Sequence, residues 1–456
     1  MKRFNRREFL TTTGAAAATA AIGSHPGAAY SQVIGTSAPF PDYKALVCVF
    51  LHGGNDSFNM LIPRSNAEYN IYAAARQNMA VAQQDLLAIN PVTADGTDYG
   101  LHPSMPGLQG LFENGSAAII SNIGPLIQPT TKTDIFNGSV TLPPQLFSHN
   151  DQQDQWNSLK GATVSKTGWA GRIADLIRMN VADQQIATNI SLSGNALLQS
   201  AEETVAYVIG SNGPLGFQGF SNSGDPNDIF YQQRLAFERV LGASYDTIYE
   251  RGFADVQRRA VATADLVNDA LDGAPALTTV FPQTPLGTQL QTVARLIAVK
   301  DTFAMQRQVF FVGIGGFDSH DDQVMSQPGL LGGVSEAMTA FYNATVEIGM
   351  ADSVTSFTQS DFGRTLTSNG DGTDHAWGGN QLIIGDAVLG RDIYGTFPSL
   401  VLDGADDVGG GRLIPTTSAD QYAATLANWF GIPDVDLDII APNIDNFAVR
   451  DLGFLV

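Results

Sequence analysis

A doubly wound α/β fold is what this sequence predicts, on three observations. Residues 46–51, 117–121, 309–314 and 354–358 are near-continuous apolar runs, the pattern of strands covered on both faces. Segments with helical spacing lie between them. Three of the four runs pass directly into a loop that carries an aspartate, Asp56, Asp318 or Asp361. Ligands of open α/β sheets bind beyond the carboxyl ends of the strands, so the fold rule and the residue chemistry point to the same edge.

Each element can be justified in chain order. Residues 46–51 form the first strand and hold Cys48, the single cysteine. Its apolar neighbours predict a buried thiol, and one cysteine allows neither an intrachain disulfide nor a thiolate metal cluster. The run 117–121 is the second strand. Residues 168–180 place Trp169, Ile173, Leu176 and Ile177 at helical spacing. The segment 185–225 is rich in Gly, Ser and Asn and reads as a strand pair with a long loop, an insertion in the fold. Residues 228–271 read as one long or two broken helices. Residues 284–304 follow as another helix, with Thr284 as cap and Pro285 at the first helical position. Strands 309–314 and 354–358 alternate with helices at 333–349 and 419–430. No repeat or interdomain linker interrupts residues 30–456, which predicts a single domain.

The N-terminus reads as a targeting segment. Arg6-Arg7 followed by Phe9-Leu10 resembles a twin-arginine export signal, residues 11–23 are weakly apolar, and Gly27-Ala28-Ala29 offers a cleavage site. The expectation is a signal peptide over residues 1–29, passage through the twin-arginine translocase, and a periplasmic or secreted mature chain beginning near Tyr30. The apolar stretch is too short for a stable membrane anchor. The formal charge of −21 argues against nucleic acid and against an anionic membrane as partners. An anionic substrate would need local positive charge from a metal or an arginine.

Five histidines outside the first thirty residues sit in turn-rich clusters with carboxylates, glycines or prolines. In Gly315-Gly-Phe-Asp318-Ser-His320, extended backbone directs Asp318 and His320 to one side, where both can reach one ion; a helix cap or Asp-rich turn is the structural alternative. Ser360-Asp361-Phe-Gly-Arg364 pairs a strand-end carboxylate with an arginine able to hold an oxyanion, or to close the loop as an ion pair. Asp374-His375-Ala-Trp377 supplies a histidine from a Gly/Asp loop, with Asp374 placed to orient His375 and Trp377 to wall a pocket. His52-Gly-Gly-Asn55-Asp56-Ser57 offers a carboxylate, an amide and a candidate nucleophile. Ser148-His149, with Asp151 and Asp154 after it, reads as a helix start, where anions also bind; Ser148 is a second candidate nucleophile and His149 a substrate contact. His102-Pro103 reads as structural. The sequence has no G-x-S-x-G, Walker loop, H-E-x-x-H or C-x-x-C motif.

Taken together, the twin-arginine start, Leu-His-Gly-Gly-Asn-Asp56, Leu-His102-Pro, Phe-Ser-His149, Gly-Gly-Phe-Asp318-Ser-His320, Ser-Asp361-Phe-Gly-Arg364 and Asp374-His375-Ala-Trp-Gly-Gly resemble the family called domain of unknown function 1501. The resemblance spans nearly the whole chain and implies similarity to the alkaline phosphatase and sulfatase superfamily. It therefore implies a mixed, mostly parallel sheet with helices on both faces, and two metals at its carboxyl edge. By that analogy Asp318, His320 and His375 hold one metal, and Asp56 with Asp361 the other. The ion expected is divalent, zinc first, with magnesium, manganese or calcium as alternatives. The activity implied is hydrolysis of a phosphate or sulfate ester of a small molecule or glycan. Ser57, Ser148 and Arg364 are the catalytic candidates, and Asn55, His149, Arg364 and Trp377 the substrate contacts. The chain departs from the superfamily at Phe362, where a histidine often follows the aspartate. That departure keeps open a non-catalytic protein that binds a ligand or partner on the same fold, and a structural metal site, calcium above all.

Overall fold

The computed structural model describes residues 38–161, 163, 165–214 and 219–456. The signal-peptide expectation lies outside them. In chain order the elements are strand β1 (Lys44–Leu51), β2 (Leu61–Pro63), helix α1 (Asn66–Arg76), β3 (Leu87–Ile89), β4 (Tyr99–Leu101), α2 (Pro106–Glu113), β5 (Ala117–Gly124), α3 (Lys132–Asn137), α4 (His149–Ser158) and α5 (Trp169–Ile177). Then come β6 (Asn189–Ser191), β7 (Tyr207–Val208), α6 (Ile229–Leu241), α7 (Ile248–Asp272), α8 (Pro285–Ala298), β8 (Arg307–Ile314) and α9 (Gln323–Glu347). The rest are β9 (Val354–Ser360), β10 (Arg364–Ser368), β11 (Thr373–His375), β12 (Gly379–Ile384), β13 (Ile393–Tyr394), β14 (Thr417–Ser418), α10 (Ala419–Phe430) and α11 (Leu437–Ile440).

A nine-stranded sheet runs β13-β5-β12-β9-β1-β8-β6-β7, with β14 also on β5. It is the mixed, mostly parallel sheet expected. Strand β1 lies at its centre, parallel to β8 on one side and β9 on the other. Only β12 runs against the others, pairing antiparallel with both β5 and β9. The sequence reading did not identify β12, whose apolar run is only Leu382-Ile-Ile384, and its direction is not readable from an apolar run at all.

The alternation of side chains along β1 explains the layers. Ala45, Val47, Val49 and Leu51 join one core with Leu108 of α2, Leu290 and Val293 of α8, and Val334 and Phe341 of α9. Leu46, Cys48 and Phe50 join the opposite core with Trp156 of α4, Ile173 of α5, and Tyr422 and Leu426 of α10. Because successive strand residues point to opposite faces, a strand covered on both sides has no solvent-facing position, and β1 is apolar from Ala45 to Leu51. All seven of these β1 side chains are at most 1 % exposed, each contributing up to about 2–3 kcal/mol of burial for the larger ones.

Helix starts follow local chemistry. The Thr284 hydroxyl accepts from the Gly287 N–H at 3.1 Å, and Pro285 opens α8 where no N–H is needed. Ser418 and Gln421 form a reciprocal capping box on α10. Residues 228–271 resolve into two helices, and 284–304 into α8 plus one 3₁₀ turn (Lys300–Phe303). Helix α9 begins ten residues before the expected 333, because Pro328 and three nearby glycines conceal its first turns from a propensity reading. The segment 185–225 does hold a strand pair, β6 and β7, on the sheet edge. Among the described residues, no helix is long and apolar enough to cross a membrane.

Candidate metal centre

The central strands deliver their loops to one edge. The loop after β1 turns at Gly53 and Gly54, both at positive φ. A side chain on Gly53 would collide with the Asp318 backbone, and one on Gly54 with the Phe362 ring. These two glycines therefore let three strand ends close on each other. Gly53 also donates its N–H to Asp361 Oδ1 at 3.2 Å and accepts from Arg364 Nη1 at 3.0 Å.

Three imidazoles converge on Asp318. His375 Nε2 lies 3.3 Å and His320 Nε2 3.1 Å from Asp318 Oδ1, while His149 Nε2 lies 3.4 Å from Asp318 Oδ2. Ligand atoms of His149, Asp318 and His375 all fall within 4.8 Å of one another. His320 joins them through a 2.8 Å contact between its Nε2 and that of His375.

The other ring nitrogen of each histidine is engaged. His149 Nδ1 meets Asp361 Oδ2 at 2.7 Å, His375 Nδ1 meets the Phe147 carbonyl at 2.7 Å, and His320 Nδ1 meets Asp374 Oδ1 at 3.3 Å. Carbonyl and carboxylate oxygens only accept, so each Nδ1 carries the proton. Wherever such a ring is neutral, its Nε2 then presents a lone pair. Three imidazole nitrogens and a carboxylate thus share one small space, and Nδ1 held by an oxygen is the usual support of a metal-bound histidine. The residues present therefore fit a divalent ion.

The surroundings tune the carboxylate. Burial works to raise the Asp318 pKa, but the Arg364 hydrogen bond and charge outweigh it and hold the group below the usual carboxylate value. Arg364 Nη1 donates to Asp318 Oδ1 at 2.8 Å. The rest of its guanidinium is spent on the Thr373 carbonyl and hydroxyl. At 1 % exposure, Arg364 positions Asp318 and has no free face for a substrate oxyanion, which corrects the role expected of it. Phe362 forms an apolar floor, its ring centroid 4.9 Å from His149 and 4.6 Å from His375. Burial lowers the His375 pKa, which favours the neutral ring.

Other expected residues lie elsewhere. Asp56 does not join Asp361: its carboxylate is paired with Arg76 and Gln323 inside the protein. Asp361 is fully buried and takes His149, Gln153 at 2.9 Å and Gly53, so it orients a histidine. Ser57 is buried with its hydroxyl accepting from the Asn380 N–H at 2.6 Å. Ser148 stands at the N-cap position of α4 and donates to Asp151 at 2.6 Å. Asn55 is buried, its N–H on Ser360. Trp377 is buried too, with its indole N–H on the Pro125 carbonyl at 2.9 Å. Asp374 holds His320, where His375 was expected. His149 belongs to the cluster itself. Gln153 was missed, although its place four residues after His149 puts both on one face of α4. Nothing in the sequence pointed to Arg76 or to the Phe147 carbonyl.

Solved structures resemble the chain remotely. Ps i-CgsB in complex with k-i-k-neocarrahexaose shares 9% identity at a TM-score of 0.36, over 89% of this chain and 77% of that one. A Bacteroides thetaiotaomicron protein described under metabolism of multiple glycosaminoglycans shares 10% at 0.34, over 86% and 74%. No curated protein matches significantly. The model of the family described as protein of unknown function (DUF1501) matches residues 43–409, and the chain belongs to that family.

Proposed function

We propose that the chain is an exported, metal-dependent hydrolase of phosphate or sulfate esters, built on one divalent ion held by His149, His320, His375 and Asp318. The observation that carries the reading is the convergence of three Nε2 lone pairs on one carboxylate, each ring fixed through Nδ1. Three nitrogens and one oxygen favour zinc over magnesium, manganese or calcium. A bound divalent cation would polarise an ester oxygen and lower the pKa of a water. The protein's own part is positional. Asp361, Asp374 and the Phe147 carbonyl hold the imidazoles, Arg364 keeps Asp318 ionised, and Phe362 excludes water from the floor. Ser57 and Ser148 are both committed to other partners, so the attacking group in this reading is water.

Protein purified after native export should contain about one divalent ion per chain and turn over some member of a phosphate and sulfate ester panel. His375→Ala should lose both. A preparation with neither bound metal nor turnover sinks the proposal. The second reading, a non-catalytic protein binding a ligand or partner, draws on the engaged serines and on Phe362. It would be favoured if Asp318→Ala and His320→Ala abolish metal binding while the cellular role survives.

A further inference from the structure

Helices α6 and α7 form a hairpin that is held from its base to its turn. Arg234 bridges to Glu238 at 2.8 Å and pairs with Asp265. Thr247 and Glu250 form a capping box at the start of α7. Arg251 Nη1 donates to the Tyr245 and Asp246 carbonyls at 2.9 and 3.1 Å, and the Tyr245 hydroxyl to the Val240 carbonyl at 2.6 Å. The outer end is thus a formed structure and not a frayed one.

One apolar stripe runs the length of α7. Tyr249, Phe253, Val256, Ala260, Val267 and Leu271 follow the spacing of a single helix face, with the 3-and-4 alternation of a coiled-coil seam between 249 and 260. The two halves of this stripe have different fates. Val267 and Leu271 are 0% and 4% exposed and belong to the main core. Tyr249, Phe253 and Val256 are 86%, 64% and 54% exposed among the described residues. Val240 and Ile248 at the same end are 57% and 71% exposed. A helix of 25 residues is about 37 Å long, and its free half carries the seam beyond the body that buries the other half.

We propose that the free half of this stripe pairs with the same stripe of a second copy of the chain. Charge selects that occupant. Between residues 229 and 260, five arginines (234, 239, 251, 258 and 259) stand against four carboxylates (238, 246, 250 and 255), in a chain of net charge −21. Two such acidic chains repel over most of their surface, and least here. An anionic bilayer would be repelled by the rest of the chain. Antiparallel two-fold pairing also sets large against small, Phe253 against the partner's Val256 and Tyr249 against the partner's Ala260. Tyr249 and Phe253, at about 150–250 Å² each when fully exposed, offer roughly 300 Å² per copy, and with the smaller Val240, Ile248 and Val256 beside them two copies reach the lower end of the range for a specific interface.

The test is sedimentation of the purified full chain across a concentration series, beside Tyr249→Glu/Phe253→Glu. These side chains are exposed, so the variant should melt as the wild type does, and Tyr249→Ser/Phe253→Ser serves as an uncharged check. The expected result is a wild-type species of twice 48.4 kDa, with both variants at half that mass. A wild type monomeric at every concentration overturns the proposal, as does a dimer that survives both variants. Sedimentation of a monomeric wild type with anionic vesicles also overturns it, and assigns the stripe to a membrane.

Discussion

Asp56 and Asp318 stand at the ends of neighbouring strands, β1 and β8, and meet opposite fates. Asp56 is 2 % exposed, and its Oδ2 is answered inside the protein by Arg76 of α1 and Gln323 of α9, while Gln327 donates to its main-chain carbonyl. Asp318 is half open, with Arg364 on one side and three imidazole Nε2 atoms on the other. A strand-end aspartate is therefore not a metal ligand by position. Each has an arginine beside it; what separates them is that Asp56 is sealed inside the protein, while Asp318 stays half open beside three imidazoles.

The largest expected effect lies on the closed side. Asp56→Ala leaves Arg76 buried without a counter-charge and should cost about 3–5 kcal/mol of stability. Denaturant unfolding measures the loss, and metal content of the folded fraction should be unchanged. A variant that lost metal at full stability would break the comparison.

His102 sharpens the same side through pH. It sits near Asp56, and burial drives its pKa down from 6.5 to about 4 against the pull of that carboxylate. Its Nδ1 accepts from the Ser104 N–H at 3.1 Å, so the folded state prefers the neutral ring. Above pH 6.5 the group costs nothing. As pH falls from 6.5 to about 4 the unfolded chain takes up the proton first, and stability declines by up to about 3 kcal/mol. His102→Gln should flatten that decline in unfolding curves taken across the window.

On the open side the effects should appear as metal linkage. Asp318→Asn takes the counter-charge from buried Arg364 and should lower the stability of the metal-free protein; it should also lose the stabilisation added by the ion, about 2.7 kcal/mol at a hundredfold excess over Kd. Thermal melts with and without chelator compare the two forms directly. Smallest is Asp361→Asn, which loosens the hold on His149 and should weaken metal binding about 10- to 100-fold, read by competition with a chromophoric chelator. An unchanged affinity would show that His149 needs no anchor.

The same contrast explains what the sequence could disclose. Strands β1, β5 and β8 were legible because burial on both faces favours apolar runs, and α10 because its cap and spacing agree; β9 is as buried with only Val354 and Phe357 apolar. Strand β12 was hidden by the shortness of its apolar run, Leu382 to Ile384, and the start of α9 by Pro328. At the site, Asp318, His320 and His375 were legible as one group because they lie in two short motifs. The partners that separate Asp56 from Asp318 were not, since Arg76 lies on another helix and Asp361 is 212 residues from His149. A local motif names the donor atoms; the long-range contacts decide what faces them.

Strand β1 carries a consequence in time. It is the first of the described strands to be synthesised and it is paired late: its neighbours begin at Arg307 and Val354, about 260 and 310 residues later. At about 5–20 residues per second, roughly 13–53 s pass before β8 follows it out of the ribosome. Throughout that interval Leu46, Cys48 and Phe50 have no neighbouring strand. The strand that centres the finished molecule is, during synthesis, a solvent-facing apolar segment that a chaperone can hold, and its assembly waits until most of the chain exists.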